Sequence, residues 1–553
     1  MADLYQDRRA QMFPRLAAAQ IARIAVHGTR RKVRRGEILF EVGEVNRCFF
    51  VVVSGKLEIV QVGERGVEQL ITVHGADEFT GEVDMITRRR SLVRGRMSEE
   101  GEVIQFGGDE LRAIVQSDTE VSDVLMRAFI LRRMAIIAGG HGEIVLVGSR
   151  FSAGTLRLKE FLGRNNEPYS SIDVDSDVGV EELLEHFHVT VADVPVVICR
   201  GEHLLRNPTN EQVAHCLGWT APLDEAHIHD LVVIGAGPAG LAAAVYAGSE
   251  GLDVLVLEGN APGGQAGSSS KIENYLGFPT GISGAALAGR ALTQAQKFGA
   301  EVAIPRHAEK LDCSRRPYSI AIDGEGVVRA RAVIIASGVQ YRKLPLENLA
   351  AFEGAGIYYA ATYVESKVCG DEEVIVVGGG NSAGQAAVFL AQTAAHVHIL
   401  VRGDGLADSM SRYLIRRIEE SPKITLHVRT EIEALDGDRH VESVRWRRRS
   451  EPEAEARKVR HVFCMTGASP NTQWLQSCVA LDNKGFVKTG PDLSPEELGA
   501  SRWPNGRAPF LLETSRPGVF AVGDVRANNV KRVASAVGEG SVCVQLVHKV
   551  LQE

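Results

Sequence analysis

The chain is 553 residues long, with 44% hydrophobic and 24% charged residues, a globular balance too large for one core and suggesting roughly three to five domains. Its net charge of −8, from 62 basic and 70 acidic residues, excludes a global electrostatic case for a nucleic-acid partner. No apolar run approaches the roughly 20 residues that cross a bilayer, and Met1-Ala2-Asp3-Leu4-Tyr5 lacks the order of a secretory leader, so a cytoplasmic protein without a membrane partner is expected.

The first stretch, 1–140, reads as short strands with glycine corners: Glu37-Ile38-Leu39-Phe40, then Cys48-Phe49-Phe50-Val51-Val52-Val53, a Ser54-Gly55 turn, and Lys56-Leu57-Glu58-Ile59-Val60. Such spacing predicts an antiparallel barrel or jelly roll. Helical periodicity over 121–137 predicts a helix that closes it, and Arg30-Arg31-Lys32 with Arg34-Arg35 reads as a solvated strand edge.

The Ser54-Gly55-Lys56-Leu57 turn, Gly43, and Phe79-Thr80-Gly81-Glu82 followed by Arg90-Ser91 resemble the cyclic nucleotide-binding domain. The resemblance implies a phosphate cassette of Gly81, Glu82, Arg90 and Ser91. In it Glu82 accepts the ribose hydroxyl of cAMP or cGMP and Arg90 pairs with the cyclic phosphate. This cassette is a residue or so short, and Arg88-Arg89-Arg90 offers three arginines for one role. A degenerate roll serving as a dimer or docking surface is the alternative.

From 141 to 222 the order is strand (143–148), helix (156–162), strand (169–174), helix (180–187), then Asp193-Val194-Pro195 leading into a strand. It resembles the thioredoxin or glutaredoxin fold, which keeps two cysteines at the first helix's amino end beside a cis-proline. The equivalent positions here are Ser152 and Thr155, with Pro195 as the candidate cis-proline. A hydroxyl cannot exchange disulfides, so an adaptor or vestigial role is expected.

The third stretch holds two glycine-rich phosphate loops. Strand Leu231-Val232-Val233-Ile234 runs into Gly235-Ala236-Gly237-Pro238-Ala239-Gly240 and then a helix, and the strand over 253–257 ends at Glu258, where ribose hydroxyls are taken. Strand Glu373-Val374-Ile375-Val376-Val377 runs into Gly378-Gly379-Gly380-Asn381-Ser382-Ala383, and the strand over 397–401 ends at Arg402. One cation there favours NADPH through its 2′-phosphate and leaves NADH open.

From about 230 onward the chain resembles the low-molecular-weight thioredoxin reductases. The resemblance is carried by Gly263-Gly264-Gln265, Ile272-Glu273-Asn274-Tyr275, Ala336-Ser337-Gly338, Thr466-Gly467-Ala468-Ser469-Pro470-Asn471 and Gly518-Val519-Phe520-Ala521-Val522-Gly523-Asp524. It implies an FAD domain over 223–345 and 461–553, interrupted by an NAD(P)H domain over 346–460. Gln265 and Asn274 then meet the flavin region, Asp524 the ribityl chain, and Lys531-Arg532-Val533 the isoalloxazine edge. A helix from near Ala534 aims its positive end at the reduced flavin.

The family's CxxC maps onto Ala360 and Tyr363, and neither is a thiol. The eight cysteines (Cys48, Cys199, Cys216, Cys313, Cys369, Cys464, Cys478 and Cys543) never stand three positions apart. A distant pairing stays open on spacing, but isolated, buried thiols are the expectation for all eight.

The expected architecture is multidomain: a β-roll, a thioredoxin-like α/β domain and two Rossmann-like three-layer domains. The expected activity is that of an NAD(P)H-dependent FAD oxidoreductase, a homodimer by resemblance, with no metal. Its reduced flavin passes electrons directly to an external acceptor such as ferredoxin, flavodoxin, quinone or dioxygen. Thioredoxin-disulfide reduction through non-local thiols is one alternative; a cyclic nucleotide sensor or scaffold with weak or no turnover is another.

Overall fold

A computed structural model describes residues 9–553 except 45–47, 63–67, 82–90, 92, 139–143, 150–151, 176, 178–192, 200–202, 221–222, 270, 324–325, 362, 408–409, 439, 476–477, 502 and 504–505. Glu82, Arg90 and the expected helix over 180–187 lie outside the described residues.

Alternating apolar positions build the first unit as an antiparallel roll. Thr29–Val33, Arg94–Gly107, Cys48–Val62 and Glu68–His74 pair in that order, with Ile38–Phe40 joined to Arg94–Gly107. The expected turn at Ser54-Gly55 does not end a strand. Cys48–Val62 runs through it with register shifts, because Gly55 adopts a φ of +85° and its absent Cβ would lie 2.6 Å from the carbonyl oxygen of Glu100. Thr29–Val33 is the exposed edge strand expected of the basic run, with Arg31 paired to Glu37 at 2.8 Å. Helices α1 (Gly108–Ser117) and α2 (Thr119–Ala138) cover the roll. Leu111, Ile114, Leu125 and Phe129 bury against Phe49, Phe79 and Phe106.

The second unit is a four-stranded sheet. Ile144–Gly148 pairs in parallel with Tyr169–Asp173 and antiparallel with Val196–Cys199, which pairs antiparallel with His203–Arg206. Helix α3 (Ala153–Arg164) starts on Ser152, whose Oγ accepts from the Thr155 N–H, and the Val194–Pro195 bond is cis.

The first large lobe, the flavin side by the resemblance above, is a seven-stranded sheet. Five of its strands form a parallel set: Glu301–Ala303 at one edge, then Val254–Leu257, Ile228–Ile234 and Gly326–Ile335, with Val519–Ala521 paired to the last. Strands buried on both faces need continuous apolar runs, which Leu231-Val232-Val233-Ile234 and Val254-Leu255-Val256-Leu257 supply. Helices α4 (Pro238–Ser249), α5 (Gly284–Lys297) and α7 (Val533–Leu551) belong to this lobe; α6 (Asn381–Leu390) belongs to the next.

The nicotinamide-side lobe has five parallel strands in the order Ile357–Tyr358, His461–Cys464, Glu373–Val377, His396–Val401 and Ile424–Val428. The expected boundary at 460 therefore falls one strand early. His461–Cys464 is wholly buried between the two strands on which this lobe is built, and the chain leaves only after it. Entry and exit run side by side, since Val339–Tyr341 pairs antiparallel with Ala468–Pro470.

Isolated thiols are not found at four of the eight cysteines. Strand-to-helix and loop packing brings Cys199 to Cys216 and Cys313 to Cys478, at Cα separations of 6.6 and 6.0 Å, and each pair is bonded. These partners lie 17 and 165 residues apart, beyond the reach of a local motif. Cys369, Cys464 and Cys543 are buried and outside any disulfide, and Cys48 is half-buried, its Sγ accepting from Gln105 Nε2 at 3.1 Å.

Candidate dinucleotide cleft

A cleft of about 1160 Å³ runs between the two large lobes, and three helix amino ends open into it. Gly237 and Pro238 start α4, Gly380 and Asn381 start α6, and Arg532 and Val533 start α7. Each end presents unpaired backbone N–H groups and a partial positive charge, suited to phosphate or to an anionic ring.

The loops owe their shape to close backbone approach. Gly235 (φ +105°) and Gly240 do not line the cleft but stand behind it. A Cβ on Gly240 would sit 1.9 Å from the Gly235 carbonyl oxygen, and one on Gly235 would sit 2.4 Å from that of Ala336. Ala383 likewise lies within the nicotinamide-side core. The remaining sequence-derived positions come together on the cleft wall: Gly237, Pro238, Ala239, Glu258, Gly264, Gln265, Asn274, Ala336, Gly338, Gly378, Gly380, Asn381, Ser382, Arg402, Gly523, Asp524, Lys531, Arg532 and Val533.

Glu258 is pinned from three sides, accepting from the N–H groups of Ala236 (2.8 Å), Asn260 (3.0 Å) and Ala261 (3.2 Å). Burial pushes the Asp524 carboxyl up, against the lowering pull of Lys531, whose Nζ donates to the Asp524 backbone carbonyl at 2.9 Å. Burial in turn pulls the Lys531 ammonium down. A Cβ at Gly237 would meet nothing nearer than Gly264 Cα at 3.9 Å, so the pyrophosphate position is open. These residues fit a flavin dinucleotide: a pinned carboxylate, a bare glycine loop beside it, and a desolvated carboxyl across the cleft.

Sequence reasoning missed several wall residues, among them Asn260, Arg342, Lys343, Thr430, Glu431 and Arg164. Arg164 comes from the second unit and no local pattern marks it; the others flank motifs and turn inward only through tertiary packing.

No cysteine is among the described residues that line the cleft. Ala360 and Tyr363 stand at the mapped dithiol positions, and Tyr363 opens the short helix Tyr363–Val368. Burial pushes the thiols of Cys369 and Cys464 up to about 12, so neither is a thiolate near neutrality.

In the roll, the Gly81 carbonyl accepts from Arg132 Nη1 of α2 at 2.8 Å. Ser91 is buried, and its Oγ donates to the Val93 carbonyl at 2.8 Å.

Two strand–glycine loop–helix units facing one cleft define a two-lobed dinucleotide oxidoreductase. Residues 229–540, more than half the chain, match the family described as pyridine nucleotide-disulphide oxidoreductase, and the chain belongs to that family. It is an NAD(P)H-dependent flavoprotein enzyme of thioredoxin reductase-like type, with FAD and NAD(P)H as cofactors. Residues 30–118 match the cyclic nucleotide-binding domain.

Among relatives, the thioredoxin reductase of Listeria innocua is 31% identical over 60% of this chain and 96% of its own length. NADPH-dependent thioredoxin reductase 3 of Arabidopsis thaliana is 32% identical over 62% of this chain and 64% of its own length. The crystal structures of Lactococcus lactis thioredoxin reductase (FR conformation) and T. acidophilum thioredoxin reductase superpose with a TM-score of 0.52 each. They are 25% and 26% identical, covering 59% of this chain and 99% of theirs. Among the described residues, no helix is long and apolar enough to cross a membrane.

Proposed function

We propose that this enzyme delivers electrons from NADPH to an acceptor that meets the flavin directly, without a protein dithiol relay. The carrying observation is the absence of cysteine from the described cleft wall, with Ala360 and Tyr363 at the relay positions. FAD held by this cleft wall would supply the redox chemistry, hydride acceptance and two-electron donation. The chain's own part is positioning. The α4 and α6 amino ends hold phosphates, Arg402 faces the nicotinamide-side nucleotide, and the α7 amino end favours negative charge near Lys531 and Val533.

Ferredoxin, flavodoxin, quinone and dioxygen are the acceptor classes compatible with this route. Thioredoxin reduction needs a thiolate that exchanges with a disulfide, and buried Cys369 and Cys464 do not supply one. The bonded pairs Cys199–Cys216 and Cys313–Cys478 are likewise not on the described cleft wall. Anaerobic NADPH should bleach the oxidised flavin, and mixing with each acceptor in turn should restore its colour at a turnover-competent rate. A thioredoxin-coupled disulfide assay above background would overturn the proposal.

The second unit is read as a thioredoxin-like domain lacking the CxxC at its first helix, with Cys199 and Cys216 bonded to each other elsewhere. Its strand order supports this, as does Pro195 lying against Gly154, where an added Cβ would meet its ring at 2.9 Å.

The roll is read as a regulator of the same cleft. It touches the flavin-side lobe through α1, where Gln116 Nε2 donates to the Lys297 carbonyl at 3.0 Å at the end of α5. Coupling of about 1–3 kcal/mol would change turnover roughly 5- to 150-fold on adding cAMP or cGMP. No change in rate or melting temperature with either nucleotide, or a response kept intact in Arg90→Ala, rejects this reading. A homodimer is the expected assembly, checked by mass in solution.

A further inference from the structure

The second unit grips the flavin side. Four of its hydrogen bonds there fall on residues 260–264, just after Glu258. Arg164, the last residue of α3, donates from Nη2 to the Gly264 carbonyl at 2.8 Å and to the Ala261 carbonyl at 3.4 Å. Asn165 Nδ2 donates to the Asn260 carbonyl at 3.1 Å, and Asn210 Nδ2 to Asn260 Oδ1 at 3.0 Å. The same loop gives the Asn260 and Ala261 N–H groups to the Glu258 carboxylate. Arg164 is itself on the cleft wall, its side chain only 14% exposed. Its Nε is buried without a hydrogen-bond partner, and its Nη1 meets Glu160 at 3.2 Å.

We infer that Arg164 is a positioning residue for FAD, so that the second unit is a working wall of the flavin site. Two parts of the side chain serve this. Nη2 ties down the loop that orients Glu258, and the guanidinium charge, only partly offset by Glu160, raises the positive potential of a cleft that takes a diphosphate. The unit is fixed from its other side as well. Ala153 packs so tightly on Gly354 that a Cβ there would approach to 2.6 Å, and Leu156 is buried within the nicotinamide-side core. This inference rests on the family's flavin and not on the acceptor route, so either can fail alone.

The test uses full-length holoenzyme, diluted in steps, with free-flavin fluorescence reporting the FAD dissociation constant. Binding of 2′,5′-ADP, a probe for the nicotinamide-side site, is followed in parallel. Arg164→Ala should weaken FAD by about ten- to a hundredfold. The weakening should narrow as salt rises, and 2′,5′-ADP affinity should hold within about twofold. Arg164→Lys, which keeps the charge and one donor, should recover a measurable part.

FAD affinity unchanged in Arg164→Ala overturns the inference, and so does equal loss of both ligands or no recovery with lysine. Should Arg164→Ala fail to fold, Glu160→Gln decides. Removing that carboxylate should tighten FAD by about two- to fivefold, and an unchanged or weaker affinity refutes the charge argument.

Discussion

Arg402→Ala is the sharpest probe of whether the enzyme distinguishes NADPH from NADH. Arg402 follows the strand His396–Val401 and lies exposed on the cleft wall. The neighbouring guanidinium of Arg429 is already taken by Asp404, so it contributes no free cation to the same spot. A single unit charge at about 4 Å is worth about 1 kcal/mol in bulk water and about 4 kcal/mol near a protein surface. Charge-assisted hydrogen bonds that survive solvation lie between those limits, at about 1.5–3 kcal/mol. Loss of Arg402 should therefore weaken NADPH by about ten- to a hundredfold, because each tenfold is about 1.4 kcal/mol.

NADH carries no 2′-phosphate and should hold within about twofold. Anaerobic flavin reduction, followed over a range of each donor, gives both apparent dissociation constants. The NADPH penalty should also shrink in high salt. An unchanged NADPH constant, or parallel losses for NADPH and NADH, would refute the reasoning.

Three further outcomes are expected. Cys369→Ala and Cys464→Ala should leave flavin reduction and reoxidation within about twofold, because neither buried thiol is ionised; loss of turnover in rapid mixing would reveal a sulfur relay. Gly240→Ala forces a Cβ to within 1.9 Å of the Gly235 carbonyl oxygen, so the phosphate loop must move. Bound flavin per chain, read from visible absorbance, should then fall by about tenfold or more, and full occupancy would contradict the packing argument. Burial holds His461 down at about 4 against its ordinary 6.5, with Glu372 pulling the other way, so the native imidazole stays neutral. The unfolded chain takes the proton first, so stability is complete above pH 6.5 and drains away toward pH 4, by about 3 kcal/mol in all. Denaturation of wild type and His461→Gln at pH 7 and pH 5 should show the excess fall only in the wild type.

The legible parts of this molecule are those whose physics is local. A buried strand, a glycine loop and a helix are consecutive in the chain, so both phosphate sites could be read from Leu231 and Val374 onward. Glu258 and Arg402 follow because each ends the next parallel strand. What escaped depends on partners far along the chain. His461-Val462-Phe463-Cys464 is an apolar run that fits either lobe until its pairing with Glu373–Val377 decides. Arg164 carries no signal in its own neighbourhood, since its function depends on a loop about a hundred residues later. The cysteine pairs are set by the same long-range packing. Gly55 shows the opposite failure: a local turn signal was real, but the neighbouring strand converted it into a bend.

The ribbon of Val339–Tyr341 against Ala468–Pro470 carries a mechanical consequence. Both crossings between the large lobes are zipped to each other, so neither can stretch or bend without the other. A lobe hung on such a doubled tether can swivel about the tether's length but cannot drift sideways, and whatever steers that swivel governs both dinucleotides at once.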